Sequence, residues 1–505
     1  MRLLHYLFPR VALIIKPKIS INTIAALFLM GFALIYTLIP FLSYETILPD
    51  SAQNLTWGHT LLWSYDRHPP LGTWLITCMS WLLRNNELAT YSSNAICLST
   101  SLWFIFKLSK RYLEDNDALV ACIFTSFSLF YLINYALQFN QNTIMLPFWV
   151  MVCYFFDSCL RDNRFQDWMF LAVAAAASIL AKYESVLIIT LLLFYLFWNF
   201  EYKFIFKLTV AFIACILLVT PHFISVAQHG FLTFKFIVDK MDTSQTHGVL
   251  YKHLYYPILA FFEQLYHILP AVLLLAGAVK NKYITRVTHH EGKARFNFLI
   301  YLGIAPLALV ILISLFLGLK ITAEWGFPLF SFTMPAIIYY FKLNSRAFFI
   351  RPLIYLALVF HVVTLSIYIS FNYFSPTMSR ANYPSYVFAK YATQYWQKFT
   401  NKPLKYIGGE EYIDYYLAAY LPNKPLLLEA FSLQHSPWLK EKELKKHGVM
   451  LVVKGCEKIN TQRLMKQFAG RAHQCIKIPL SNKYKQQYTK LTLMVVPPAR
   501  KGFSK

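Results

Sequence analysis

The sequence predicts a polytopic α-helical membrane protein, with about 11 transmembrane helices plus juxtamembrane helices and a small C-terminal α/β soluble domain. Three observations lead there. Of 505 residues 57% are apolar and mean hydropathy is +0.43, more apolar surface than a soluble chain of this length buries. Apolar runs of about 20 residues recur, the length that crosses a hydrocarbon core as a helix. After Ser375 those runs shorten and lysine becomes frequent.

Taken in order, Arg2, Arg10, Lys16 and Lys18 precede the first apolar segment without a small-residue cleavage site, the pattern of an uncleaved signal anchor. Eleven spans follow, at 21–42, 88–106, 118–135, 143–160, 168–180, 186–200, 208–226, 257–279, 296–317, 327–341 and 352–371. Segment 71–83 is also apolar, but as a helix it reaches only about 20 Å, short of a ~30 Å core. Charge decides its place. With eleven spans, one set of loops holds 19 Lys and Arg and the opposite set 7. The positive-inside rule puts the 19 in the cytoplasm, and a twelfth span would invert every later loop. The C-terminal part then lies outside, which in a bacterial inner membrane is the periplasm. The formal charge of +24 has this topological origin, and no nucleic-acid-binding module accompanies it.

The polar outside loop 43–87 concentrates candidate chemistry. It holds Asp50, Asp66, Arg67, His68 and the Pro69-Pro70 break, with Trp57, Trp63, Trp74 and Trp81 at intervals that suit amphipathic helices on a membrane surface. Two roles fit Asp50, and both can hold at once: a general base taking an acceptor's proton, or the N-cap of a helix over 51–62. Arg67 and His68 suit a lipid-linked phosphate, since guanidinium binds phosphate bidentately and the helix after Pro70 adds partial positive charge; a lipid headgroup would satisfy Arg67 equally. Lys182 at a span end is costly unless paired or functional, and Glu184 is a ready partner. Asn140 and Asn142 either orient a sugar or cap the helix that follows. His222, His229, His247 and His253 show no metal-ligand spacing.

Residues 375–505 read as the α/β domain, against 1–374 for the membrane domain. Strands are expected at 404–407, 449–453, 475–478 and 491–496, helices at 410–420, 437–446 and 461–468. Its 22 basic residues against 7 acidic suit anionic headgroups or simply a solvated surface. Cys456 and Cys475 are the only cysteines outside the membrane part; an oxidising compartment lets them pair, and two separate thiols are the alternative.

Asp50-Ser51-Ala52, Tyr65-Asp66-Arg67-His68-Pro69-Pro70-Leu71, Leu180-Ala181-Lys182-Tyr183, Pro221-His222, Gln228-His229-Gly230 and Glu324-Trp325 occur in that order. In this the chain resembles membrane glycosyltransferases of the C-type fold, in the branch with bacterial relatives of protein mannosyltransferases and lipid A aminoarabinose transferases. The resemblance covers nearly the whole chain. It implies a polyprenyl-phosphate-sugar donor, a catalytic carboxylate in the first loop and transfer on the non-cytoplasmic face. Two departures stand out: Ser51 replaces a frequent second acid, and Asn142 stands where an Asp is common. Asp50 is left as the catalytic acid, and a divalent metal lacks support; no other cofactor is implied.

The resulting expectation is an inner-membrane enzyme moving a sugar from a polyprenyl phosphate to a lipid or glycan acceptor, with lipid A or another lipopolysaccharide part favoured. Asp50 is the catalytic residue; Arg67, His68 and Lys182 hold the donor phosphate; Asp66, Asn140, Asn142, His229 and Glu324 are acceptor or sugar contacts. Membrane lipids are its surroundings and nucleic acid is no partner. Protein O-glycosylation is the alternative within the class. A lipid or sugar transporter is the rival outside it, although charges gathered at one face and the lack of internal repeats speak against transport. Alkaline phosphatase fused after Phe374 is expected to be active; an inactive fusion in a correctly inserted protein overturns the eleven-span topology.

Overall fold

The computed structural model describes residues 19–241, 248–286, 297–374, 383–409, 413–456, 472–479 and 488–498. The basic N-terminus and the expected helix at 461–468 lie outside them. Each of the eleven apolar segments contains helix. Six helices are long and apolar enough to cross a membrane by length and composition: Ile21–Ser43, Gln141–Asp162, Tyr202–Gln228, Tyr251–Lys280, Phe298–Leu317 and Phe348–Asn372. Asn86–Ser109 is as long but more polar, and Phe165–Ala181 and Val186–Trp198 are shorter.

Two expected spans are broken. Helix Asp115–Ser126 stops well before residue 135, followed by the short turns Leu129–Leu132 and Asn134–Leu137. Thr125 and Ser126 turn their hydroxyls back onto Ala121 O and Ile123 O (2.8 and 2.6 Å), which competes with helix continuation. In segment 327–341 only Thr333–Tyr340 is α-helical. Phe327, Leu329, Phe330 and Phe332 before it are buried, as irregular backbone at membrane depth requires. Helix Leu71–Leu83 is a separate element ended by left-handed Arg84 (φ 53°). It buries Gly72, Thr73, Ile76 and Thr77 and leaves Trp81 exposed.

Strands β1 (Ile284–Arg286) and β2 (Leu343–Ser345) pair antiparallel between membrane helices. The C-terminal region carries a mixed sheet of β3 (Tyr406–Gly409), β4 (Leu426–Glu429), β5 (Val449–Lys454), β6 (Ala472–Pro479) and β7 (Tyr488–Val496), in the order β4-β3-β5-β7-β6. β3 runs parallel to β4 and β5; β7 is antiparallel to β5 and β6. Strand β4 was absent from the sequence expectation: only three apolar residues follow Pro425, too few to show an alternation. Helices Ile413–Tyr420 and Glu441–His447 stand near the expected places; residues 410–412 lie outside the described part. A disulfide joins Cys456 to Cys475, Cα atoms 5.4 Å apart, inside the range a bridge spans.

This region sits directly on the first loop. Thr46 Oγ1 meets Ser385 Oγ at 2.7 Å, Ile47 N–H donates to the Tyr420 hydroxyl at 3.0 Å, and Asn86 Nδ2 donates to Ala419 O at 3.2 Å. Within the membrane part, helices Phe298–Leu317 and Thr333–Tyr340 approach so closely that a Cβ on Gly303 would lie 2.4 Å from Ala336 Cβ. Gly303→Ala therefore gains about 1 kcal/mol of helix propensity but incurs overpacking of about 1–3 kcal/mol, because Ala336 has no rotamer to change. A lower thermal midpoint in detergent is expected; an unchanged or raised one would show that the two helices slide apart without cost.

Candidate active site

The loop helix Pro49–Trp57 lies between the membrane helices and the C-terminal region, and each of its ends holds a cluster of polar groups. Pro49 opens the helix at its first position, with Leu48 as N-cap. Asp50 is thus the second helical residue and not the cap; Pro49 suits the first position because its missing N–H has no partner there anyway. The helix also ends at Trp57, five residues before the expected stop.

At the Asp50 end, Asn140 Nδ2 donates to Asp50 Oδ2 at 3.5 Å. Asn140 caps helix Gln141–Asp162 by accepting from Asn142 N and Thr143 N. Asn142 Oδ1 accepts from Lys182 Nζ at 2.5 Å, and Lys182 also pairs with Glu184. The Lys182 ammonium lies 5.8 Å from the centre of the Trp325 ring. A carboxylate, two amides, a cation and its counter-charge therefore form one connected chain at the ends of several helices. Ser51 locks the geometry by exchanging hydrogen bonds with Phe139 (3.2 and 3.4 Å).

At the Trp57 end, Asp66 is buried and accepts from His435 Nδ1 at 2.9 Å, with Arg67 Nε 3.6 Å away. Arg67 lies over the Phe236 ring at 5.4 Å, and the His68 ring is near both Phe236 and Trp57. Trp57 Nε1 donates to Glu429 Oε1 at 2.8 Å and Tyr415 OH to Glu429 Oε2 at 2.6 Å, while Gln53 Nε2 donates to the Tyr415 hydroxyl at 2.8 Å. The expectation that Trp57 lies on the membrane surface is corrected here, since it is buried under the C-terminal region. Trp63 and Trp81 are the exposed ones.

The structure thus gathers Asp50, Asn140, Asn142 and Lys182 at one end of the helix, while Asp66, Arg67 and His68 follow Tyr65, which stacks on Trp57 at the other; the Cα atoms of Asp50 and Trp57 are roughly 10 Å apart by the rise per residue. His229 stands apart, bonded to Ser64 Oγ at 2.9 Å. Glu324 is exposed on the turn Ala323–Gly326, whose Trp325 faces Lys182. Among the described residues no three His, Cys, Asp or Glu side chains gather as a metal-binding group.

Residues 67–227 match the family model described as dolichyl-phosphate-mannose-protein mannosyltransferase. No curated protein sequence matches the chain. The crystal structure of ArnT from Cupriavidus metallidurans in the apo state superposes with a TM-score of 0.61 at 11% identity, over 94% of this chain and 98% of that one. The same protein bound to undecaprenyl phosphate gives the same values. The chain has the C-type glycosyltransferase fold.

Within this C-type fold, sequence reasoning missed Gln53, Tyr415, Glu429 and His435. Their partners lie hundreds of residues away, so no local pattern marks them. The only signal was two acids, Asp414 and Glu429, set among apolar residues in a region otherwise rich in lysine. Both are buried, and burial pushes both carboxyls above their ordinary range; for Glu429 the nearby Asp414 charge adds to the effect, while Arg67 opposes it on both. A folded state that holds protons more tightly than the unfolded chain loses stability as pH rises from the ordinary carboxylate range, about 4, through the raised values. Wild type should therefore lose more thermal stability than Asp414→Asn when pH is raised from about 5 to about 8. Parallel pH profiles for the two proteins would show that Asp414 is not proton-linked to folding.

Proposed function

We propose that the protein transfers a sugar from a polyprenyl-phosphate donor to an envelope acceptor at the outer face of the bacterial inner membrane, with lipid A or another lipopolysaccharide part as the favoured acceptor. The observation that carries this reading is the Asp50–Asn140–Asn142–Lys182 chain at the helix ends of a C-type fold, a fold whose ArnT example is crystallised with undecaprenyl phosphate. In this reading the N-terminus is cytoplasmic, and residues 375–505 form a periplasmic domain over the first loop.

The bond that breaks joins the sugar's anomeric carbon to a phosphate oxygen. An acceptor oxygen attacks that carbon; Asp50 takes its proton where it carries one, and polyprenyl phosphate leaves with the bonding electrons. Lys182 faces the growing negative charge on the phosphate, and Asn142 and Glu184 hold its ammonium in place beforehand, which is electrostatic preorganisation. Asn140 and Asn142 line the path between acid and cation. Arg67 and His68 are second contacts for the donor, since Asp66 already answers part of the Arg67 charge. His229 and Glu324 remain acceptor contacts at the periphery. The family description naming a protein mannosyltransferase supports a second reading, protein O-glycosylation, which a soluble acceptor peptide labelled by the purified enzyme would favour.

Mass spectrometry of lipid A and of envelope glycans from a deletion strain identifies the product that disappears; an unchanged glycan and lipid A profile overturns the proposal. In vitro, Asp50→Asn keeps shape and should fold, yet lose about 10²–10⁴ in turnover of synthetic undecaprenyl-phosphate sugars. It should still bind undecaprenyl phosphate. Lys182→Ala should instead weaken that binding, by roughly the 1.5–3 kcal/mol of a charge-assisted hydrogen bond. Full activity in Asp50→Asn would make Asp50 a structural residue.

A further inference from the structure

Trp57 Nε1–H can donate a hydrogen bond but never accept one. The Tyr415 hydroxyl already accepts from Gln53, so its own proton must go elsewhere, and it goes to Glu429. Glu429 therefore stands between two donors and meets each with a separate oxygen, at 2.8 and 2.6 Å. Its side chain is buried, on the last residue of β4, and its backbone N–H is held by Ser436 Oγ at 2.7 Å. Gln cannot place an oxygen at both positions: one of the two becomes an NH2 group facing a donor.

The same helix is gripped by this region along its length. Tyr420 takes the Ile47 N–H just before it, Gln53 reaches Tyr415 in its middle, Thr56 Oγ1 lies 3.4 Å from Tyr415 O, and Glu429 holds its last residue. Nine residues of α-helix behave as one rigid rod, so a shift at Trp57 is transmitted to Asp50 at the far end.

We propose that Glu429 is a positioning residue for the transferase site: from the C-terminal region it sets the angle of the loop helix, and through it the placement of Asp50 against Asn140 and Lys182. This deepens the glycosyl-transfer reading and rests on it. The C-terminal region is then a working part of the site, because the loop helix has no complete set of partners without it.

The test uses the full-length protein in nanodiscs. In Glu429→Gln, hydrogen exchange across Pro49–Trp57 should quicken about tenfold as the helix loosens, with the membrane helices unchanged. Undecaprenyl phosphate should bind as in wild type, while kcat on synthetic undecaprenyl-phosphate sugars falls by up to roughly 10²-fold from misplacement. Trp57→Phe keeps an aromatic ring and removes only the donor, so it should show the same split and carries the test if Glu429→Gln does not fold. The double variant should lose less than the sum of the two single ones, since both act on the shared Trp57–Glu429 contact. Unchanged exchange at Pro49–Trp57 overturns the proposal, and so does faster exchange with kcat intact. Asp50→Asn runs alongside: if it stays active, the transfer reading fails, while the exchange data still decide whether Glu429 holds the helix.

Discussion

A buried indole N–H must find an acceptor, and for Trp57 that acceptor is a carboxylate 372 residues further along the chain. Leaving either group unmet would cost about 1–3 kcal/mol, so the first loop and the C-terminal sheet form as one assembly. The aromatic packing follows the same line. The Trp57 ring stacks on Tyr65 with centroids 5.0 Å apart and meets Tyr415 edge-on at 6.5 Å, and Tyr65 in turn reaches Trp438. What enters the loop as an amphipathic stretch becomes the seam between membrane helices and sheet.

On the membrane side the seam needs a firm base, and buried polar pairs supply it. Asn54 Oδ1 accepts from Thr73 and Gln141 at 3.3 and 3.2 Å, tying the loop helix to the short helix Leu71–Leu83 and to the start of Gln141–Asp162. Gly72 leaves no spare room at this junction, since a Cβ there would fall 2.4 Å from Ile144 Cδ1. Deeper in the bundle, His361 lies between the Tyr36 hydroxyl and Ser126 Oγ at 3.1 and 3.0 Å, so a potentially costly imidazole is fully partnered. Helices anchored in this way hold their ends in a fixed relation, and those ends carry Asn140, Asn142 and Lys182.

Much of this was legible in the sequence because it depends on local chemistry. Apolar run length located eleven helical segments, and a drop in run length located the C-terminal region. Breaks within segments were not legible: hydropathy is the same whether Phe327–Phe332 continues a helix or packs as buried turns. Asp50 is legible as a helix-start residue, but the N-cap reading sets it two positions too far out, because Pro49 and Asp50 both suit a first turn. The Cys456 and Cys475 thiols could be considered together from compartment and count alone. Glu429 could not be found, since its meaning lies wholly in Trp57 and Tyr415, and pairing across hundreds of residues leaves no periodic trace.

The two ends of the loop helix differ in the way a working site should. At the Trp57 end Glu429 is 1% exposed and bridges two donors at 2.8 and 2.6 Å, an arrangement with no room for a ligand and strong resistance to motion. At the Asp50 end Asp50 is half-buried and the Lys182 side chain is 20% exposed. The transfer we propose needs a reachable proton acceptor and a reachable cation, so partial exposure belongs at this end. Tight contacts belong where geometry is held. One short helix joins the two requirements, and its rigidity lets the closed end discipline the open one.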